Sequence, residues 1–286
     1  MTPSHFAGMV ARSLGFDKQV ERVKAYRDRY RAPTAPQGVL PPQYFDPVER
    51  VAGSRRETPS GSGVYQQWAS LPGGHKWLHY FEVYDELFAG LRTRPIRMLE
   101  IGVYQGGSLR MWRKVLHADS LIVGIDIDPA CARFDSPGER VRVRIGSQDD
   151  PDFLAAVAAE FGPFDVILDD GSHMCSHMIE SFGHLFLPAL DPHGLYIVED
   201  THTNYWEQYR NRGYSFVDLC KDLVDVMHSH YPLRAGEPAY RIGRPEQLVS
   251  LHVPRVAAQI REITFRDSII AIRKKPVGPL PASQHN

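Results

Sequence analysis

The stretch FDVILDDGSH, residues 164–173, joins a run of apolar, β-forming residues directly to paired carboxylates. A second stretch of the same kind, LYIVEDTH, covers residues 195–202. Short apolar runs that end in acidic residues predict buried strands of a parallel sheet, whose carboxyl ends meet at one edge. In open α/β sheets, ligands bind at that edge. The two stretches therefore predict both the fold class and the position of the site.

The acidic residues of the two stretches are expected to lie close together, and they are Asp169, Asp170, Glu199 and Asp200. Because converging carboxylates repel one another, a cation is expected between them. Oxygen ligands without a nearby thiolate favour Mg²⁺, with Mn²⁺ and Ca²⁺ as alternatives. Either residue of the first pair can be the ligand; the D-x-x-H spacing favours Asp170, because it places His173 beside the cation as a base.

Strands and helices alternate along the chain on both sides of these stretches. The predicted strands cover residues 97–103, 121–127, 141–145, 164–168, 194–198, 261–265 and 268–273. The predicted helices cover residues 76–91, 108–116, 151–161, 176–187 and 216–229. This alternation predicts an α/β fold with a doubly wound, Rossmann-like, mostly parallel seven-stranded sheet and an antiparallel C-terminal strand.

The sequence also predicts that the chain is divided into three regions. Residues 1–70 are expected to form a helical and proline-rich N-terminal arm, with six prolines between residues 31 and 62. Each proline removes a backbone donor and restricts φ, which suits a linker, a lid or a subunit-contacting arm. Residues 71–278 are predicted to form the α/β domain and residues 279–286 a flexible tail.

Composition narrows the classes of partner and compartment. The 286 residues carry a formal net charge of −1, so no overall charge attracts nucleic acid or an anionic membrane. The three cysteines are far apart and form no C-x-x-C, which disfavours a disulfide framework and a zinc site. No apolar run is long enough to span a bilayer and no signal peptide is evident, so we expect a cytoplasmic protein.

The loop after the first predicted strand reads EIGVYQGGS, residues 100–108. Its glycines let the turn pass close under a ligand. Tyr104 stands where the G-x-G-x-x-G dinucleotide motif has its second glycine, so a dinucleotide site is disfavoured. The acid at Glu100 suits the amino group of a ligand better than a pyrophosphate.

The next two strands end in groups that suit a nucleoside. The second strand ends at Asp126, where an acid commonly accepts both ribose hydroxyls. The third ends in polar residues, among them Ser147 and Gln148, that could reach an adenine edge. Together they predict a site for an adenosine with an aminoacyl-like chain. The alternative is that the glycines only serve turns and the acids only cap helices.

These motifs resemble a known family. The E-x-G-x-x-x-G loop, the acidic end of the second strand and the topology resemble the class I S-adenosylmethionine-dependent methyltransferases over roughly residues 75–275. Longer stretches at residues 76–81, 100–108, 169–173 and 198–206 resemble the metal-dependent sugar O-methyltransferases of macrolide biosynthesis, of the mycinamicin and tylosin type.

The resemblance implies S-adenosylmethionine and Mg²⁺ as cofactors, and it assigns roles to individual residues. It implies that Asp170, Glu199 and Asp200 hold Mg²⁺ and that His173 is the general base. The residues assigned to the methyl-donor site are Glu100, Gly102, Tyr104, Gly106, Ser108, Asp126, Ser147, Gln148 and Asp169. The implied acceptor is a sugar hydroxyl of an oligosaccharide or polysaccharide precursor or of a glycosylated secondary metabolite. A homodimer or higher homo-oligomer is expected.

Other functions stay open at this point. A catechol-like aromatic acceptor would chelate the same metal through vicinal oxygens. An NAD-dependent sugar oxidoreductase is disfavoured by the missing dinucleotide motif, and a non-enzymatic adaptor by the intact acid pairs. Tyr205 and Trp206 follow the second acid pair, and their aromatic faces suit sugar rings.

Overall fold

The computed structural model describes residues 58–229 and 253–278. Most of the predicted N-terminal arm, residues 1–70, and the predicted tail, residues 279–286, lie outside these described residues. Within them, no helix combines the length and the apolar character that crossing a bilayer requires.

Seven strands form one sheet in the order β3-β2-β1-β4-β5-β7-β6. The strands are β1 Arg97–Ile101, β2 Leu121–Asp126, β3 Val141–Ile145, β4 Phe164–Asp169, β5 Leu190–Val198, β6 Ile260–Arg266 and β7 Ile269–Lys274. The first five pair in parallel, whereas β7 runs antiparallel to both β5 and β6. The predicted seven-stranded, mostly parallel sheet with an antiparallel C-terminal strand is confirmed.

Helices cover both faces of the sheet. The helices are α1 Gly63–Trp68, α2 Tyr80–Phe88, α3 Gly107–Val115, α4 Pro151–Phe161, α5 Cys175–Leu185 and α6 Phe216–Met227. Successive strand residues point to opposite faces, so Met98 joins the apolar core under α1, α2 and α3, while Leu99 joins the core under α4, α5 and α6. Two cores on one sheet make the fold doubly wound.

Local sequence signals set where helices begin. The hydroxyl of Ser215 accepts from the backbone N–H of Asp218 at 3.1 Å, and the Asp218 carboxylate accepts from the N–H of Ser215 at 3.1 Å. This capping box starts α6. Asp150 accepts from two backbone amides at the start of α4, with a proline at the first helical position. Such caps contribute about 0.5–2 kcal/mol each.

Several boundaries differ from the prediction. The predicted helix over residues 76–91 begins only at Tyr80, because the preceding residues extend toward the carboxyl edge of the sheet. Trp77 therefore lies outside the helix and is 46% exposed. The first strand ends at Ile101, since Gly102 turns the chain with φ +96°.

The sheet order reverses between β1 and β4. The chain moves outward from β1 to β2 and β3 on one side, and from β4 to β5 on the other. At this point the backbone N–H of Asp170 donates to the carbonyl of Ile101 at 2.9 Å. A crevice at such a switch point is where open α/β sheets bind ligands.

Candidate active site

A cavity of about 400 Å³ opens at this carboxyl edge. The volume lies within the range of pockets that hold cofactors and small ligands. Its lining comes from the loops after β1, β2, β3, β4 and β5, and includes Gly102, Tyr104, Asp126, Asp128, Ser147, Gln148, Asp170, His173, His177 and Asp200.

Glycine at position 102 is required by the backbone around it. Its φ is +96°, and a Cβ atom there would lie 2.2 Å from the carbonyl oxygen of Asp170. Any side chain would therefore force apart the loops that follow β1 and β4. Gly106 starts α3 with φ +69°, and a Cβ atom there would meet the ring of Phe134 at 2.8 Å.

Asp126 fastens the loop after β1 to the end of β2. Its Oδ2 accepts from the backbone amides of Val103 at 2.8 Å and Tyr104 at 2.9 Å, and its Oδ1 accepts from that of Asp128 at 2.9 Å. Partial burial acts to raise the pKa of Asp126, but these amides outweigh it and hold the pKa below its usual value. A carboxylate has about four acceptor sites, so ribose hydroxyls can still be bound.

Gln148 connects the loop after β3 to β4. Its Nε2 donates to Asp169 Oδ1 at 3.1 Å and to Ser181 Oγ at 3.0 Å, and its Oε1 accepts from the backbone N–H of Ser172 at 2.7 Å. Asp169 is 1% exposed, and burial raises its pKa to about 7. The side chain of Asp169 therefore belongs to the interior, away from the cavity lining.

Glu100 and Ser108 form a buried pair behind the cavity. Ser108 Oγ donates a hydrogen bond to Glu100, whose side chain is fully buried. Burial raises the pKa of Glu100 to about 7. The acid is thus held between its neutral and charged forms near physiological pH.

Three side chains at the cavity form the acid cluster. Asp170, His173 and Asp200 each present a possible ligand atom, and these atoms lie within 4.8 Å of one another. His173 Nε2 lies 3.6 Å from Asp200 Oδ2, and the hydroxyl of Tyr80 donates to Asp200 Oδ1 at 2.5 Å. The structure therefore places Asp170, rather than Asp169, beside His173.

A lysine connects the acid cluster to a third carboxylate, that of Glu199. The ammonium of Lys76 lies 2.6 Å from Asp170 Oδ2 and 2.5 Å from Glu199 Oε2, and the hydroxyl of Tyr84 donates to Glu199 Oε1. Burial acts to lower the pKa of Lys76, but the charges of Asp170 and Glu199 raise it well above its usual value. Burial also raises the pKa of Glu199 to about 8.

Sequence reasoning assigned no role to Lys76 or Tyr84 in this cluster. The available signal was the spacing of Tyr80 and Tyr84, which places two hydroxyls on one face of α2. Lys76 precedes that helix in an extended segment, where no periodic pattern indicates the direction of its side chain.

The donor set fits a hard divalent cation. Asp170 and Asp200 offer carboxylate oxygens, which are the ligands that Mg²⁺ and Mn²⁺ prefer, and the imidazole of His173 lies beside them. Glu199 lies next to Asp170 through their shared ammonium and could join the set if Lys76 moved away.

The cavity concentrates unusual backbone conformations. Tyr104, His173 and Asp200 have φ values of 49°, 60° and 52°, and all three line the cavity. Positive φ at a residue other than glycine costs of order 1–3 kcal/mol and persists where the surroundings enforce it. This clustering supports a functional role for the loops that carry the three residues.

Aromatic rings border the acid cluster on its open side. The ring of His202 lies 5.8 Å from that of Trp77 and 4.6 Å from that of Trp206, and Tyr209 follows 6.0 Å beyond Trp206. His202 Nδ1 is 3.9 Å from Asp200 Oδ1. Trp77 and Trp206 are 46% and 45% exposed, so their faces are available to a ligand.

The part of the chain that carries the cavity and the acid cluster matches a known protein family. Residues 99–201, which span β1 to the end of β5, match a family described as "Methyltransferase domain". The chain contains a methyltransferase domain.

The chain is also similar to curated O-methyltransferases of Streptomyces. It is 38% identical over 228 residues to the 8-demethyl-8-alpha-L-rhamnosyl tetracenomycin-C 2'-O-methyltransferase of Streptomyces olivaceus, covering 74% of this chain and 58% of that protein. It is also 38% identical over 196 residues to the demethylmacrocin O-methyltransferase of Streptomyces fradiae, covering 62% and 48% of the two chains. The chain thus spans roughly half the length of these relatives.

A solved structure shares the fold of the methyltransferase domain. The MycE methyltransferase of the mycinamycin biosynthetic pathway, solved with Mg, SAH and mycinamycin VI, superposes with a TM-score of 0.61 at 28% identity. The match covers 77% of this chain and 54% of that one.

The predicted donor-site residues fall into two groups, according to whether they line the cavity. Those that line the cavity are Gly102, Tyr104, Asp126, Ser147 and Gln148. Those that lie outside its lining are Glu100, Gly106, Ser108 and Asp169. Among the predicted metal ligands, Asp170 and Asp200 line the cavity, whereas Glu199 is fully buried behind them.

Proposed function

We propose that this chain is an S-adenosylmethionine- and Mg²⁺-dependent O-methyltransferase that acts on a sugar hydroxyl of a glycosylated small molecule. One observation carries the proposal: a single cavity is lined by Gly102, Asp126 and Gln148 together with Asp170 and His173. A nucleoside bound against the first three residues would bring its sulfonium group close to the acid cluster.

The loops after β1, β2 and β3 would bind the donor. Asp126 would accept ribose hydroxyls, and Ser147 and Gln148 would contact the adenine. S-adenosylmethionine supplies a methyl group on a positively charged sulfur, which becomes neutral when the methyl leaves. Glu100 and Ser108 lie directly behind the loop and would stabilise the charged end of the donor through it.

Asp170, Glu199 and Asp200 would hold Mg²⁺. When bound, a divalent cation lowers the pKa of a coordinated hydroxyl and fixes its position. The acid residues therefore determine which acceptor hydroxyl faces the donor. Two adjacent hydroxyls would fit this arrangement, so a vicinal diol is the expected acceptor.

His173 would accept the proton of the attacking hydroxyl at Nε2. The oxygen gains the methyl group, the carbon–sulfur electrons stay on sulfur, and the proton moves to the imidazole. Asp200 Oδ2, 3.6 Å from Nε2, would stabilise the resulting imidazolium. General-base catalysis of this kind is worth about 10²–10⁴-fold in rate.

Two half-exposed rings support the choice of a sugar as acceptor. Trp77 and Trp206 flank His202 next to Asp200, and an apolar sugar face can pack on an aromatic ring. The Streptomyces olivaceus relative is named as a 2'-O-methyltransferase of a rhamnosyl tetracenomycin, which favours a glycosylated metabolite over a polysaccharide precursor. The homo-oligomer expected from the sequence stays a prediction.

The test is a titration of S-adenosylhomocysteine into EDTA-treated protein, followed by methyl transfer to glycosylated polyketides with and without Mg²⁺. We expect binding of the nucleoside and a methylated sugar product only when Mg²⁺ is present. A catechol and an oligosaccharide serve as competing acceptors, and NAD as a competing cofactor. Failure of the nucleoside to bind would overturn the methyltransferase proposal; methylation of the catechol alone would overturn the sugar assignment.

A further inference from the structure

Lys76 joins Asp170 of the acid cluster to Glu199, although it comes from a separate part of the chain. Its ammonium contacts Asp170 and Glu199, which lie 94 and 123 positions away along the sequence. Its side chain is only 3% exposed. A lysine in this position loses its hydration and gains two carboxylate partners in exchange.

The charges around Lys76 explain why it is held there. Asp170, Glu199 and Asp200 place three carboxyl groups in a small volume, and Glu199 is fully buried. Within the described part of the chain, no other lysine or arginine forms an ion pair with these carboxylates. Among the described lysine and arginine residues, Lys76 therefore supplies the positive charge that faces these carboxylates.

We propose that Lys76 holds the cluster together when no metal is bound, and that a divalent cation must displace its ammonium to reach both Asp170 and Glu199. This inference rests on the proposed metal dependence. Lys76 would act as a positioning residue, because it contacts the proposed metal ligands Asp170 and Glu199 and is absent from the cavity lining.

Competition between the two cations follows from the contacts. The ammonium of Lys76 lies 2.6 Å from Asp170 Oδ2 and 2.5 Å from Glu199 Oε2, so it occupies the position that a cation bound to both oxygens would take. The other oxygen of Glu199 is bonded to Tyr84. Tyr84 is buried in the core and cannot withdraw, whereas Lys76 lies on an extended segment that follows Gly73 and Gly74. The ammonium is thus the partner that can move.

The first experiment measures Mg²⁺ binding by calorimetry in the metal-free protein and in Lys76→Met. Removing a positive charge a few ångströms from the metal should tighten Mg²⁺ binding by about tenfold or more. Lys76→Arg keeps the charge and should bind Mg²⁺ with nearly the affinity of the wild type. Lys221→Met removes an exposed lysine of α6 and should leave the Mg²⁺ affinity unchanged.

Stability provides a second readout on the same proteins. Lys76→Met should melt at a lower temperature without metal, because its carboxylates repel one another, and it should gain more stability from Mg²⁺ than the wild type does. Equal Mg²⁺ affinity and equal Mg²⁺ stabilisation in the two proteins would overturn the proposal. Weaker Mg²⁺ binding in folded Lys76→Met would also overturn it, since Lys76 would then support the ligands.

A measurement on the wild type covers the case in which Lys76→Met fails to fold. A buried, hydrogen-bonded ammonium exchanges its protons slowly and is visible by ¹⁵N NMR. We expect such a signal from metal-free protein and its loss or displacement when Mg²⁺ saturates the site. An unchanged signal in protein that binds Mg²⁺ would overturn the inference, whereas absence of Mg²⁺ binding to the wild type would instead overturn the proposed metal dependence.

Discussion

The α-carbon of Gly102 faces the carbonyl oxygen of Asp170 so closely that a Cβ atom on Gly102 would lie 2.2 Å from that oxygen. This contact joins the loop that would bind the donor to the loop that carries the acid cluster. The two loops follow β1 and β4, on either side of the point where the sheet order reverses. A change at Gly102 should therefore disturb both halves of the site.

Gly102→Ala is expected to weaken S-adenosylhomocysteine binding and Mg²⁺ binding together. The alanine would have to adopt φ +96° and push the Asp170 carbonyl away, at a cost of at least about 1–2 kcal/mol in the free energy of unfolding. Calorimetry and urea unfolding measure these effects. Gly90→Ala is the matched control, since its Cβ meets nothing within 4 Å; an equal effect there would show that the close contact is unimportant.

Glu100→Gln should flatten the pH dependence of stability. Burial raises the pKa of Glu100 from 4.5 to about 7, so the folded chain keeps a proton that the unfolded chain loses. Stability in the wild type therefore falls as pH rises from about 4.5 to about 7. Glutamine does not titrate, so the variant should lose less stability across that window.

The Glu100 prediction is measured by urea unfolding of metal-free and donor-free protein at both ends of the window. Glu82→Gln, an exposed substitution on α2, provides the comparison. Parallel pH profiles for wild type and Glu100→Gln would show that Glu100 titrates alike in the folded and unfolded chains.

His173→Ala should lower kcat by about 10²–10⁴-fold, because the attacking hydroxyl would lose its proton acceptor. The affinity for S-adenosylhomocysteine should stay close to that of the wild type, since His173 belongs to the acid cluster and not to the loops proposed to bind the donor. Single-turnover methyl transfer measures the first quantity and calorimetry the second. The control variant His193→Ala, at an exposed position in β5, should retain the wild-type kcat. A wild-type kcat in His173→Ala would show that His173 is not the general base.

Trp206→Ala should raise the KM for a glycosylated acceptor by about two- to tenfold, because a sugar would lose an aromatic face to pack on. The donor affinity should not change, as Trp206 borders the acid cluster through His202 and is absent from the described cavity lining. Trp206→Phe keeps an aromatic face and should restore much of the acceptor affinity. Equal KM values in wild type and Trp206→Ala would place the acceptor elsewhere.

Much of the fold could be predicted from the sequence because its signals are local. Alternating strands and helices, glycine turns and acidic strand ends predicted all seven strands and a mostly parallel sheet. The predicted helix over residues 76–91 was too long at its start, since the segment before Tyr80 is held by distant carboxylates. Periodicity alone contains no information about such contacts.

The sequence by itself determined which groups reach one edge of the sheet, because strand direction and turn position follow from short-range patterns. Only the tertiary structure decided that Asp170 enters the cavity while Asp169 turns inward to Gln148. It alone showed that Lys76 joins Asp170 to Glu199. These arrangements depend on burial and on ion pairs between residues about a hundred positions apart, which appear only when the chain is folded.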